Sequence, residues 1–138
     1  METKLQSILS LPRRLERSAA LTRWVQSLYP EGVDRPVLVG GAALELLTDG
    51  AYVTGDHDFV GTVPSPVAWS LKEARFGQLG RHWIHEEERV FFEFHDEKLK
   101  EGERAVQWPF GNYRILVISP EDLLVDRLAA WRPFGSPL

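Results

Sequence analysis

The sequence predicts an α+β fold, bordering on the α/β class: a small mixed β-sheet packed with helices in one domain. Three observations carry this. Apolar residues recur at helical spacing in separate stretches near the N-terminus, in the middle and near the C-terminus. Between them lie short runs rich in Val, Ile and Phe, bounded by Gly, Pro or Asp, as buried strands are. The chain has 138 residues, one domain's worth, and such a chain buries roughly two-thirds of its extended surface. The division is a single domain over 1–138, with an N-terminal helical segment over 1–30 and a core over 36–131.

The elements follow in order. Residues Thr3 to Leu28 read as helix: Leu5, Ile8 and Leu9, then Leu15 and Ala19, then Leu21, Trp24, Val25 and Leu28 keep a helical period. Pro12 splits this stretch into a short helix and a longer one starting near Arg13. Tyr29-Pro30-Glu31-Gly32 stops it. Pro36 to Val39 is a short buried strand ended by Gly40-Gly41, and Ala42 to Leu47 is a short helix ending before Asp49-Gly50. Thr54 to Val60 reads as a second strand. Pro64-Ser65-Pro66 opens a helix expected to run to about Leu79, with Val67, Leu71, Ala74 and Leu79 inward. Arg81 to Ile84 and Val90 to Phe94 form an antiparallel pair around the charged turn Glu86-Glu87-Glu88. Tyr113 to Ile118 is a further strand. Ser119-Pro120-Glu121-Asp122 is a helix start, with Ser as N-cap, Pro at N1 and acids in the first turn. That helix continues to Trp131, where Pro133 and Gly135 follow.

Composition narrows the function classes. The chain has no cysteine, which excludes a disulfide scaffold, a zinc knuckle, a thiol nucleophile and an iron–sulfur site. It fits a reducing cytoplasm. No apolar run approaches a membrane span, and METKLQSILSLPRR lacks the pattern of a secretory signal, so the expectation is a cytoplasmic protein with no membrane partner. A net charge of −4 argues against a broad nucleic-acid coat but leaves room for a local basic face.

The chemistry concentrates between Val37 and Val60. Two glycines after a buried strand allow close backbone approach and unusual φ, so bare N–H groups can face a ligand. The helix that starts there adds partial positive charge, which suits a phosphate. Asp56 and Asp58 alternate on the next strand, which places both carboxylates on one face, roughly 6–7 Å apart at Cα. Carboxylates that close repel unless a cation sits between them, and a hard divalent ion with oxygen ligands is the natural partner. Glu93 is the best third acid. It lies inside Val90-Phe91-Phe92-Glu93-Phe94, where a buried acid is costly without a partner. Phe92 and Phe94 face away from it, while Phe91 and His95 share its face. Asp96 is the fallback. His57, between the aspartates, points to the opposite face as a packing residue.

Val39-Gly40-Gly41 followed by Asp56-His57-Asp58 resembles the motif of the nucleotidyltransferase superfamily with the DNA-polymerase-beta-like palm. The phrase Thr54-Gly55-Asp56-His57-Asp58-Phe59 is similar to a branch of small bacterial nucleotidyltransferase-like proteins, some of them paired with toxin–antitoxin or phage-defence loci. Phe91-Phe92-Glu93-Phe94, Val117 to Asp122 and Asp126 to Ala130 also look like that branch. The resemblance spans about Pro36 to Trp131. It implies the nucleotidyltransferase fold, and transfer of a nucleoside monophosphate from an NTP to a protein or RNA acceptor. It implies Gly40 and Gly41 as holders of the triphosphate, and Asp56 and Asp58 as ligands of Mg²⁺ (or Mn²⁺). Glu93 becomes the third metal-binding carboxylate, helping to deprotonate the attacking hydroxyl. Three departures stand out. The third acid is Glu where many active members have Asp, the second Gly replaces a frequent Ser, and the 14-residue gap from Gly41 to Asp56 is slightly long. A palm this small has one open side, which a homodimer, a partner protein or the acceptor would close.

Two other readings belong beside this one. An inactive relative would keep the fold as a binding or antitoxin-like module acting through a partner protein. A metal-dependent phosphohydrolase is weaker, because the Gly-Gly element suits holding a triphosphate. Arg13, Arg14, Arg17 and Arg23 form a basic stretch, either a solvated helix face or a contact for RNA or an acidic partner. Of five tryptophans, Trp24 and Trp131 sit on apolar stripes; Trp69, Trp83 and Trp108 do not sort by pattern, and one is a candidate for an exposed partner surface.

Overall fold

The structure is a computed structural model describing residues 4–48, 56–95 and 97–131, with side chains given up to residue 125. Five helices and one seven-stranded mixed sheet make up the described residues. Helix α1 spans Lys4–Leu9 and α2 Arg14–Ser27, split at Pro12 as expected. Strand β1 is Val37–Val39 and α3 is Gly40–Leu47, so the glycines open the helix itself. Strand β2 is His57–Val60; the preceding Thr54 and Gly55 lie outside the described residues.

Helix α4 covers Ser65–Glu73 and does not continue to Leu79. Arg75 adopts φ +74, which breaks the helical run, and Gly77–Leu79 becomes strand β3. Val67 and Leu71 are buried as expected, but Leu79 is 71% exposed. The helical period in this segment was real only over two turns; Phe76, just past the helix, is the side chain that enters the core.

Strands β4 (His82–His85) and β5 (Val90–Phe94) pair antiparallel around the acidic turn. Strand β6, Ala105–Phe110, is one the composition does not announce, because Pro109 argues against a central strand. It sits at the sheet's edge, where a missing N–H is tolerated, and Gly111-Asn112 turns it into β7, Tyr113–Ile118. Helix α5 runs over Pro120–Trp131. Its start is capped by Ser119: the Asp122 N–H donates to Ser119 Oγ at 3.2 Å, Ser119 Oγ donates to Asp122 Oδ2 at 2.6 Å, and the Arg104 N–H donates to the same oxygen at 2.8 Å. The bonds from the Ser119 hydroxyl and the Arg104 N–H hold the Asp122 carboxyl below its usual range.

The strand order is β3-β4-β5-β2-β1-β7-β6. Strand β2 is antiparallel to β1 and parallel to β5, while β1 is parallel to β7. The pleat sorts the side chains. Leu38, His57, Phe59, Trp83, Phe92, Phe94, Ile115 and Val117 are buried. Phe76 stacks on Phe92, Trp24 of α2 meets Phe76, and Phe59 stacks on Phe94. Burial of each such ring stabilises by about 1.5–3 kcal/mol. The other face carries Val39, Asp58, Val60, Phe91 and Glu93, all half-buried or exposed. Gln26 of α2 joins β1 to β7 through its amide, donating to Pro36 O and Leu116 O and accepting from Leu116 N–H. No described helix is long and apolar enough to cross a membrane.

Candidate metal centre

The register of the three central strands builds the site. Val39 lies opposite Asp58, and Asp58 lies beside Glu93 on the parallel neighbour. Adjacent strands run about 4.8 Å apart, so these carboxylates are held side by side by backbone pairing alone. Like charges placed that way repel unless a cation joins them.

A cation-capable group stands there. His95 follows β5 and is tied by its N–H to Phe59 O at 2.8 Å. Its Nε2 is 3.3 Å from Asp58 Oδ1 and its Nδ1 is 3.5 Å from Glu93 Oε2. Among the described residues, one ligand atom from each of Asp58, Glu93 and His95 converge within 4.8 Å of one another, a grouping able to hold a metal ion. Their side chains are 28%, 24% and 32% exposed, so they are reachable from solvent yet partly desolvated. Two outer partners reach Glu93, Arg81 just before β4 at 3.8 Å and His82 of β4 at 3.9 Å. His82 reaches it because it is the register partner of Glu93.

Gly40 closes the site from the other side. It adopts φ +66, and a Cβ placed there would lie 2.7 Å from Asp58 Oδ2. Both facts require glycine: the left-handed backbone penalises a side chain, and the carboxylate occupies the space. The start of α3 therefore sits directly against Asp58. Two residues further along the same face, Val37 and Val60 enter the floor of a cleft of about 820 Å³, whose walls include Arg35, Glu97, Lys98 and Leu116.

The expected site residues distribute as follows. Asp58 and Glu93 are brought together. Gly40 abuts them, and Gly41 follows as a buried residue of α3. Asp56 precedes β2, is exposed, and is not in the converging group. Asp96 lies outside the described residues. His95, which alternation placed on the face of Glu93, enters the group in full. His82 was not singled out, because only strand register reveals that it faces Glu93.

His57 is the contrasting histidine. It is buried, its Nε2 is 2.9 Å from Ser18 Oγ, and its ring meets Phe92 edge-on. Burial pushes its pKa down to about 4, so the ring is neutral. Part of the basic stretch is structural too. Arg14 Nε bonds Glu45 Oε2 at 2.9 Å, and Arg17 donates to Leu11 O at 2.8 Å. Glu45 is 2% exposed while Arg14 is half-exposed, so the pair ties α2 to α3 at the edge of the core. Trp83 is buried, while Trp69 is 65% exposed on α4. The side chain of Trp131 lies outside those described.

No protein-family model, no curated protein and no solved structure matches this chain.

Proposed function

We propose that the protein is a metal-dependent nucleotidyltransferase of the nucleotidyltransferase fold, moving a nucleoside monophosphate from an NTP to a protein or RNA acceptor. One observation carries the reading: two carboxylates on adjacent parallel strands, Asp58 and Glu93, lie against a positive-φ glycine that opens a helix. That arrangement puts backbone N–H groups and carboxylates at one point, as holding a polyphosphate together with a divalent ion requires.

In this reading Gly40 and Gly41 hold the triphosphate and Asp58 and Glu93 face the divalent ion, while Asp56, exposed just before β2 and outside the converging group, would join them once the ion is bound. The acceptor hydroxyl attacks the α-phosphorus, the bond to the bridging oxygen breaks, and pyrophosphate leaves. Glu93 accepts the hydroxyl proton or passes it to solvent. Mg²⁺ or Mn²⁺, when bound, supplies the positive charge that stabilises attacking and leaving oxygens. The cleft over Val37 and Val60 offers room for the rest of a nucleotide or for the acceptor.

One observation favours a second reading, an inactive module acting through a partner protein, as an antitoxin would. The imidazole of His95 touches both carboxylates, and Arg81 and His82 flank Glu93. These groups give the two acids polar partners without a metal. The test is incubation with labelled NTPs, Mg²⁺ or Mn²⁺ and cell extract. Label transfer that disappears in Asp56→Ala and Asp58→Ala supports the enzyme. No transfer, together with no metal-dependent nucleotide binding by calorimetry, selects the inactive module.

A further inference from the structure

The ligand set in this structure differs in chemistry from a cluster of oxygens. Mg²⁺ sites are built from carboxylates, phosphates and water, whereas imidazole suits the borderline transition ions. We infer that Asp58, Glu93 and His95 form a mixed nitrogen–oxygen site for a divalent first-row transition ion, with Zn²⁺ as its representative, and not a site tuned to Mg²⁺. The inference rests on the reading above only in assigning a metal to these carboxylates; it does not depend on nucleotide transfer.

Three features support it. The first is spacing. Ligands about 2.1 Å from a tetrahedral ion stand about 3.4 Å from one another. His95 Nε2 and Asp58 Oδ1 are 3.3 Å apart, close to that edge, and at that length they make a poor direct hydrogen bond. The second is the other ring nitrogen. A ligating histidine keeps one N–H, which a carboxylate or carbonyl orients. Here Nε2 faces Asp58 while Nδ1 lies 3.5 Å from Glu93 Oε2, so the imidazole stands between the two acids, with one ligand atom from each residue within 4.8 Å of the others. The third is rigidity. All three residues hang from paired backbone: Asp58 and Glu93 are register partners, and the His95 N–H is bonded to Phe59 O. The geometry is set by the sheet and not by a loop. His82, beside Glu93, stands where it could approach as a fourth group.

Raw affinity is a poor discriminator, because later transition ions outrank earlier ones at almost any such site. The test is the change in selectivity when the imidazole is removed. Chelator-treated full-length protein is titrated by calorimetry with Zn²⁺, Mn²⁺ and Mg²⁺ separately, without nucleotide. The variants are His95→Ala and Asp58→Asn, each checked for folding by circular dichroism. His95→Ala should weaken Zn²⁺ by at least about 100-fold, as expected for losing a ligand, and change Mg²⁺ by no more than about twofold. Asp58→Asn should weaken both. A second measurement needs no variant: Co²⁺-loaded wild-type protein should show a shifted, exchangeable imidazole N–H resonance.

Equal loss of Zn²⁺ and Mg²⁺ in His95→Ala overturns the inference. So does Zn²⁺ binding that survives Asp58→Asn, or the absence of the imidazole resonance. Zn²⁺ held through His95 with no label transfer from any NTP keeps this inference and removes the transferase reading. Mg²⁺-dependent transfer that His95→Ala leaves intact, with unchanged ion selectivity, does the reverse.

Discussion

His57 and Asp58 are neighbours in the chain and opposites in environment. His57 points into the face that α2 and Phe76 cover, where it is neutral, bonded to Ser18 and packed on Phe92. Asp58 points to the other face, beside Glu93, His95 and the start of α3. The same split recurs one strand over, between buried Phe92 and half-buried Glu93. The sheet thus separates stability from chemistry by a single residue step. One face carries apolar and neutral groups that hold the strands in place. The other carries charged groups whose positions are consequences of that packing. Substitutions on the two faces should therefore behave differently, and four comparisons test this.

The largest effect should come from Phe92→Ala. Phe92 is 1% exposed and touches the rings of His57, Phe59 and Phe76, so its loss should cost about 3–5 kcal/mol in urea unfolding. Phe91→Ala, one residue away on the open face and 38% exposed, should cost about 1 kcal/mol or less. Similar costs for the two would mean that the faces are not separated.

Next comes a pH effect confined to the buried face. The folded pKa of His57 is lowered to about 4 from 6.5, so between those values the unfolded chain binds the proton and the folded one does not. Stability is fully present above about pH 6.5, falls as pH drops toward 4, and then levels off. The loss is on the order of 3 kcal/mol at most. His57→Gln should flatten unfolding midpoints measured between pH 7 and 4.5. Asp122, whose carboxyl is held low by the Ser119 hydroxyl and the Arg104 N–H, begins to act only at the acid end of this range. A variant with an unchanged slope would assign the titration elsewhere.

A smaller effect is expected where the backbone meets the site. Gly40 and Gly111 both have positive φ, at +66 and +58, and each →Ala change should cost about 1–2 kcal/mol for that conformation. Only Gly40 has a carboxylate in the way, while nothing lies within 4 Å of a Cβ at Gly111. Gly40→Ala should therefore cost more, and the excess should shrink in an Asp58→Ala background, with a coupling of about 0.5–2 kcal/mol in a double-mutant cycle. Equal costs at the two glycines would detach Gly40 from Asp58.

Least of all should stability respond to Asp58→Asn and Glu93→Gln. On a partly exposed face each should shift unfolding by about 0.5 kcal/mol in either direction, while the label transfer that the proposed function calls for should fall below detection. A large stability loss with little change in function would give these acids a structural role.

Much of this was readable from residue order. Period-2 alternation alone puts His57 opposite Asp58, and Phe92 and Phe94 opposite Glu93. Gly-Gly after a buried strand marked the point where α3 begins, and Ser119-Pro120-Glu121-Asp122 marked the start of α5. The helix expected to reach Leu79 was not readable. A positive φ at Arg75 ends the helical path two residues after Glu73, and no residue type announces that conformation there. Strand β6 stayed hidden behind Pro109, because its position at the sheet edge is a property of strand order.

Local sequence dictated which side chains share a face, because alternation and helical period are properties of the backbone itself. Which strands lie side by side was decided only by the assembled sheet. The parallel pairing of β2 with β5 sets Asp58 against Glu93, and the antiparallel pairing of β4 with β5 brings His82 to the same point. Neither pairing is encoded at short range. Each depends on burying Phe59, Trp83, Phe92 and Phe94 together, and that packing places the candidate ligands on the opposite side.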